Sequence, residues 1–253
     1  MRGSLVEPVR AAPARERNDL GQYDDLADAW WDPSGVFAML HWIAEARGEM
    51  VPRAPRIGAV LVDMGCGAGL LAPHVAGKGY HHIGVDMTAS ALVLAQAHGV
   101  SAVRGDVVRL PLRTGSADIV SAGEILEHVA DLPAAIAEAC RVLRPGGLLV
   151  LDTIAATPLA RLVAVTLAER VGGAPRGIHD PALFVDRKVL VAECARHGVR
   201  LALQGVRPSI TGMVAWRARL RPAARIVATR STAVLFQGSG YKDPLQPQLR
   251  DGS

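Results

Sequence analysis

Aromatic residues are scarce, at 4% of the 253-residue chain, and Ala, Val and Leu supply most of its apolar half. Lysine is rarer still. Lys78, Lys188 and Lys242 stand alone beside abundant arginine, a bias that reads as GC-rich codon usage rather than as a nucleic-acid surface. No long basic run is interleaved with aromatics and the net charge is only +4, so nucleic acid is not expected as a partner. Cysteine is limited to Cys66, Cys140 and Cys194. An odd, widely spaced set suggests neither a disulfide framework nor a zinc site, and reduced intracellular thiols are the simpler reading. The first 20 residues lack the continuous apolar stretch of a signal peptide, and no apolar run reaches the roughly 18 residues of a bilayer span. The expectation is a cytoplasmic protein, at most peripheral on the inner face of a membrane.

What is present suits one α/β domain with a large core. Residues 1–19 are polar and contain Arg and Pro, which predicts a disordered extension. Residues 20–50 hold Tyr23, Trp30, Trp31, Phe37 and Trp42, half of the aromatics, at a spacing that predicts one or two capping helices. From Val60 onward, short apolar runs alternate with helical stretches. Ala59–Val62, His82–Asp86, Val100–Arg104, Ile119–Ala122 and Leu148–Thr153 read as strands, with helices after the first, second and fourth. This alternation implies a parallel sheet covered by helices on both faces. Residues 154–178 form an insertion in which Leu159, Leu162, Val163, Val165 and Leu167 recur at helical spacing. It reads as a core helix, as a lid, or as an interfacial helix touching membrane through residues 155–173. His179–His197 reads as helical, Val199–Val206 and Ser231–Gln237 as the last strands, and 241–253 as a flexible tail.

The first strand runs into Asp63-Met64-Gly65-Cys66-Gly67-Ala68-Gly69. Gly65, Gly67 and Gly69 permit a tight turn and close approach of a ligand to the main chain. Such a turn also serves nicotinamide and flavin cofactors. Leu70, however, occupies the position where their fingerprint needs its third glycine. Asp63 would repel a pyrophosphate, whereas it would attract the ammonium and sulfonium of S-adenosylmethionine. Asp86, followed by Met87, ends the second strand and can accept both ribose hydroxyls. Asp106, followed by Val107, comes after the third strand and can accept from an adenine amino group. Together these acidic groups outline one adenosyl site at successive strand ends.

Glu124-x-x-Glu127-His128 places two carboxylates at i and i+3 with an adjacent imidazole. A phenol or enol oxygen must lose a proton before it accepts a methyl group, so a base or a metal is needed nearby. Glu124, Glu127 and His128 could hold Mg²⁺ or a similar ion. Alternatively, Glu127 or His128 acts as the base, and His179, beside Asp180, could reach the substrate.

The pieces Val62–Gly69, Gly84–Asp86, Gly105-Asp106, Glu124–Val129 and Leu143–Gly147 resemble class I methyltransferases. Tyr23–Phe37 with its Trp30-Trp31-Asp32 core, Leu40-His41 and Gly177–Asp180 are similar, more narrowly, to the ubiquinone-biosynthesis O-methyltransferases. That resemblance covers about residues 20–240. It implies a Rossmann-like seven-stranded sheet with its last strand antiparallel, cofactor contacts at Arg47, Gly65, Asp86 and Gly123, and a divalent metal at the acidic motif. The acceptor it implies is a catechol or a quinol. This chain departs from the family's pattern at Ala44–Arg47, at Gly123 where Met is usual, and at Ile154–Thr157. C- or N-methylation on the same fold and a non-catalytic cofactor-binding module stay open, and so does the oligomeric state.

Overall fold

The computed structural model describes residues 16–167, 169 and 176–244. Five strands are built from mostly apolar runs: β1 (Val60–Met64), β2 (His81–Asp86), β3 (Ser101–Arg104), β4 (Ala117–Gly123) and β5 (Leu143–Ile154). They pair in parallel, which is stable only when both faces are covered. The cover comes from α1 (Gly21–Asp25) and α2 (Ala38–Met50) near the N-terminus, then α3 (Ala72–Val75), α4 (Ala89–Ala97) and α5 (Leu132–Val142). Proline at the first turn and Asp131, whose side chain accepts from Ala134 N–H, start α5. Its buried stripe of Ala135, Ile136, Ala139 and Cys140 joins the main core.

After β5 the chain makes α6 (Pro158–Ala160), capped by the Thr157 side chain, and widens into a π-helical stretch over Arg161–Leu167. Then follow α7 (Arg187–Arg196), β6 (Ala202–Pro208), α8 (Ile210–Arg217), β7 (Ile226–Thr229) and β8 (Leu235–Tyr241). The strand order is β3-β2-β1-β4-β5-β8-β6-β7. β8 runs antiparallel to β5, as expected for the last strand.

The sheet has eight strands rather than seven. The additional one, β7, is a short edge strand between Arg225 and Arg230, too brief to stand out as an apolar run. The last strand also begins four residues later than Ser231. Gly238 and Gly240 lie within it because a Cβ on Gly238 would meet Leu151 and Leu203, and one on Gly240 would come 2.5 Å from Arg200 O. The helix expected from His179 starts only at Arg187, where the Asp186 side chain accepts from Lys188 and Val189 N–H. Residues 16–19, assigned from sequence to a disordered extension, are held in place. The Arg17 guanidinium donates to Glu169 and His179 O, and Asn18 bonds His128. At the other end, Lys242 donates to Cys140 O and Leu143 O. Residues 1–15 and 245–253, assigned to the extension and the tail, lie outside the described residues.

β1 and β4 are neighbours whose onward connections leave in opposite directions across the sheet, so a crevice opens at their carboxyl ends. Asp118 anchors the opposite end. One oxygen accepts from Val60 N–H and from Arg56, both at 2.8 Å, and the other accepts from Arg144 at 2.6 Å. Against the upward push of burial, the Val60 N–H, then Arg144 and Arg56, hold this carboxyl below the usual range. Asp118→Ala strands a backbone donor and two guanidinium groups, and it should cost about 2–4 kcal/mol of stability. Urea unfolding checks this, and a change below about 0.5 kcal/mol would contradict the anchor.

Candidate active site

The glycine turn adopts left-handed backbone at Gly65 (φ 66°) and Gly67 (φ 50°). A Cβ on Gly65 would strike Ile125, and one on Gly67 would press on the Trp30 ring. Gly67 N–H donates to one Asp86 oxygen at 2.9 Å, and Thr88 N–H donates to the other at 2.8 Å. Each oxygen keeps a further lone pair for a ligand. Asp106 accepts from Val108 N–H in a tight turn. Gly65, Gly67, Asp86, Met87, Asp106, Val107 and Gly123 all line one cavity of about 1540 Å³.

Two residues assigned from sequence to the cofactor stand outside that lining. Gly69 faces Ala95 and Val100, so its glycine serves the packing of α4. Asp63 is 2% exposed, beneath the turn, with Oδ2 3.6 Å from His82 Nε2.

Asp63 belongs to a buried charge group that sequence reading reached only in part. Arg47, from α2, donates to both oxygens of Asp152 on β5, at 2.7 and 2.8 Å. Its guanidinium crosses Gly123 so closely that a Cβ there would lie 1.8 Å from Nη1. A side chain at position 123 would have to displace the guanidinium. Asp152 was missed, although an aspartate inside the apolar run Leu148–Ile154 was a readable signal. Asp152, Asp63 and Glu124 all act on Arg47. Burial pushes the Glu124 carboxyl well up, and it pushes Glu127 up to about 7. Glu124 sits at φ 50°, strained for a non-glycine residue, with Oε1 buried and without a hydrogen-bond partner. Carboxylates outnumber the one guanidinium here, so the pocket floor favours a cation.

The acidic motif does not converge as expected for a metal site. Glu127 is fully buried and accepts from the Thr153 hydroxyl at 2.7 Å. His128 turns the other way, with Nδ1 2.6 Å from Asn18 Oδ1 and Nε2 3.5 Å from the Tyr23 hydroxyl. Among the described residues, no three His, Cys, Asp or Glu side chains are grouped to hold an ion. This arrangement does not support the expected Mg²⁺ site at Glu124, Glu127 and His128. The cause is the tight 3₁₀ turn over Leu126–His128, which sends successive side chains apart.

His128 and His179 do come together. Their rings stack at 5.5 Å, and both line the cavity. Burial first, then His179, holds the His128 imidazole down at about 3, and burial holds His179 at about 4. Both are neutral near pH 7. Tyr23, Asn18 and the Trp30–Phe37 stack, with centroids 4.4 Å apart, complete this wall. Asn18 carried no signal in a segment read as disordered. The rest of the lining is mainly apolar, with Val163, Ala164 and Leu167 from the insertion, and with Met213, Val214 and Trp216 from α8.

Residues 62–151 match the methyltransferase domain family. A ubiquinone biosynthesis O-methyltransferase of Albidiferax ferrireducens is 34% identical over 201 residues, covering 75% of this chain and 78% of the relative. The enzyme of that name from Thiobacillus denitrificans is 35% identical over 205 residues, covering 77% of this chain and 85% of the relative. Among solved structures, an S-adenosylmethionine-dependent methyltransferase of Thermotoga maritima superposes with a TM-score of 0.61 at 19% identity. It covers 88% of this chain and 97% of that one, a likeness that speaks to fold alone. With the glycine turn, the strand-end carboxylates and the sheet order in place, the chain belongs to the ubiquinone biosynthesis O-methyltransferase family of S-adenosylmethionine-dependent methyltransferases.

Proposed function

We propose that the chain methylates a hydroxyl of a phenol, catechol or hydroquinone that carries a large apolar group. The observation behind this reading is the single cavity joining the glycine turn to the neutral His128–His179 pair. At about 1540 Å³ it exceeds the roughly 300–1,000 Å³ of an ordinary small-molecule site. It has room for a cofactor and a bulky acceptor together. The names of the curated relatives support oxygen as the accepting atom and a quinol precursor as the substrate class.

The residues present fit S-adenosylmethionine, which when bound supplies an electrophilic methyl group on a sulfonium. Asp86 would hold the ribose hydroxyls through its free lone pairs, and Asp106 the adenine amino group, with Met87 and Val107 flanking the ring. Gly65 and Gly67 allow close main-chain approach. Glu124, with its unpartnered Oε1, suits the ammonium group, and the surplus of buried carboxylates around Arg47 and Asp63 favours the cation. Arg47 acts by holding Asp152 rather than by binding the cofactor with a free guanidinium.

His128 is the base. Asn18 Nδ2 donates to His128 O at 3.0 Å, which turns Asn18 Oδ1 toward His128 Nδ1. Nδ1 therefore carries the ring proton, and Nε2 presents a lone pair near the Tyr23 hydroxyl. Nε2 takes the acceptor's hydroxyl proton, and the oxygen so exposed becomes the nucleophile. His179 and the insertion residues Val163 and Leu167 hold the acceptor and keep water out. Glu127, sealed against Thr153, positions the motif.

Calorimetric titration with S-adenosylmethionine, S-adenosylhomocysteine and NADH tests the cofactor assignment. The first two should bind at micromolar levels and NADH should not; the reverse pattern would overturn it. Asp86→Ala should weaken cofactor binding on the order of 100-fold, through loss of two charged hydrogen bonds. His128→Gln should lower kcat with a catechol acceptor by about 10²–10⁴ while leaving cofactor affinity unchanged. Product analysis showing N- or C-methylation, or no turnover despite binding, would refute the acceptor class.

The neutral imidazoles also make stability pH-dependent. Because His128 and His179 sit at about 3 and about 4, the unfolded chain takes up protons that the folded chain refuses. Stability is full above pH 6.5 and declines as pH falls toward 4. Thermal unfolding across that window should show a shallower decline for His179→Gln than for the wild type. Identical slopes would contradict the burial of a neutral His179.

A further inference from the structure

The proposed base is a weak one. His128 is held down at about 3, whereas an ordinary phenol ionises at about 10. A proton passes between two such groups only if the oxygen left behind is stabilised as it becomes negative. The neighbouring carboxylates work in the other direction, because Glu127, Asp86 and Glu124 repel an anion. A hydrogen-bond donor placed at that oxygen answers the difficulty, beside whatever the cofactor's positive charge contributes.

Tyr23, on α1, offers such a donor. Its hydroxyl is 3.5 Å from His128 Nε2, and both residues line the large cavity. Because the His128 ring proton lies on Nδ1, toward Asn18 Oδ1, the Tyr23 hydroxyl is the donor in this contact. The separation is long for a hydrogen bond from a hydroxyl, and it leaves room for a third atom. An oxygen about 2.8 Å from both atoms can accept from Tyr23 while it gives its own proton to Nε2.

The position of Tyr23 is fixed. Its ring stacks on Trp30 at 5.8 Å and 21°, and meets His128 edge-on at 6.2 Å and 82°. α1 is tied down on two sides. Gln22 Nε2 donates to Gly177 O at 3.2 Å, and Asp24 accepts from the Ser90 hydroxyl on α4. The hydroxyl also keeps its proton. Burial, then the field of Glu127, Asp86 and Glu124, pushes its ionisation well above the usual tyrosine range. The carboxylates that oppose an anionic acceptor thus keep Tyr23 a donor and exclude it as the base.

We infer that the Tyr23 hydroxyl is a second catalytic group, donating a hydrogen bond to the acceptor oxygen as His128 Nε2 removes that oxygen's proton. The inference rests on the base assignment made above. In the step, the acceptor O–H bond breaks and its proton goes to Nε2. The oxygen bonds to the methyl carbon as the carbon–sulfur bond breaks, and the electron pair of that bond stays on sulfur. Tyr23 keeps its own proton throughout, and His128 passes the acquired one to water. The hydrogen bond matters most for an acceptor that arrives protonated. One already ionised in water gains little from it.

The test is Tyr23→Phe, which keeps the ring and its stacking and removes only the hydroxyl. Two acceptors are compared: catechol, a weak acid, and 4-nitrocatechol, which is substantially ionised in neutral water. The variant should lose about 10–100-fold in kcat/KM with catechol and far less with 4-nitrocatechol. Equal losses with both, or no loss with catechol, would overturn the inference. A second readout needs no turnover. 4-Nitrocatechol, bound together with S-adenosylhomocysteine, changes colour as it ionises, so absorbance across pH gives its midpoint. That midpoint should lie about 1 pH unit or more higher in Tyr23→Phe than in the wild type. An unmoved midpoint would overturn the inference. His128→Gln separates the two claims. If it lowers catechol turnover while Tyr23→Phe does not, the inference falls and the base assignment stands. If it leaves turnover unchanged, both fall. Calorimetric titration with S-adenosylhomocysteine, at wild-type affinity, reports that each variant is folded.

Discussion

Arg47 carries the only guanidinium in a buried group that includes Asp63, Asp152 and Glu124, and much of the site follows from where it sits. It begins on α2, crosses the end of β4 and ends on β5, tying the aromatic N-terminal segment to the centre of the sheet. Removing one partner of such a pair leaves an uncompensated buried charge and costs about 3–5 kcal/mol. The crossing requires glycine at 123. The surplus of carboxylates then gives the cavity floor a sign, and a cationic cofactor answers it. That surplus would be costly in an empty interior, as the raised Glu124 and Glu127 carboxyls record.

The parallel half of the fold was legible because its signals are local. Val60–Met64 is apolar and ends in a glycine turn, and Asp86 and Asp106 stand at the ends of the next two strands. Period and punctuation suffice there. The antiparallel half was less legible. β7 is four residues long and does not look like a strand in isolation, and β8, read from sequence as Ser231–Gln237, starts later and runs on through glycines that make room for Leu151 and Arg200. Only pairing with β6 and β5 explains them.

The site shows a similar division. Residues that backbone turns place along the cavity were found from spacing alone. Residues whose roles depend on side-chain direction were not. Glu124, Glu127 and His128 look like a ligand set on paper, but a 3₁₀ turn separates them. Asp63 looked like a direct cofactor contact, yet it works from beneath the turn, through the field it shares with Arg47. Asn18 orients the proposed base from 110 positions away in the chain, a distance no local pattern can report.

The most direct test of this account is a crystal structure of the chain with S-adenosylhomocysteine and a catechol acceptor. The account predicts ribose hydroxyls on Asp86, and an acceptor oxygen about 2.6–3.2 Å from His128 Nε2 with its apolar substituent running toward α8. An acceptor oxygen held elsewhere, or a His128 turned away from Asn18 to bind a metal with Glu124 and Glu127, would contradict it.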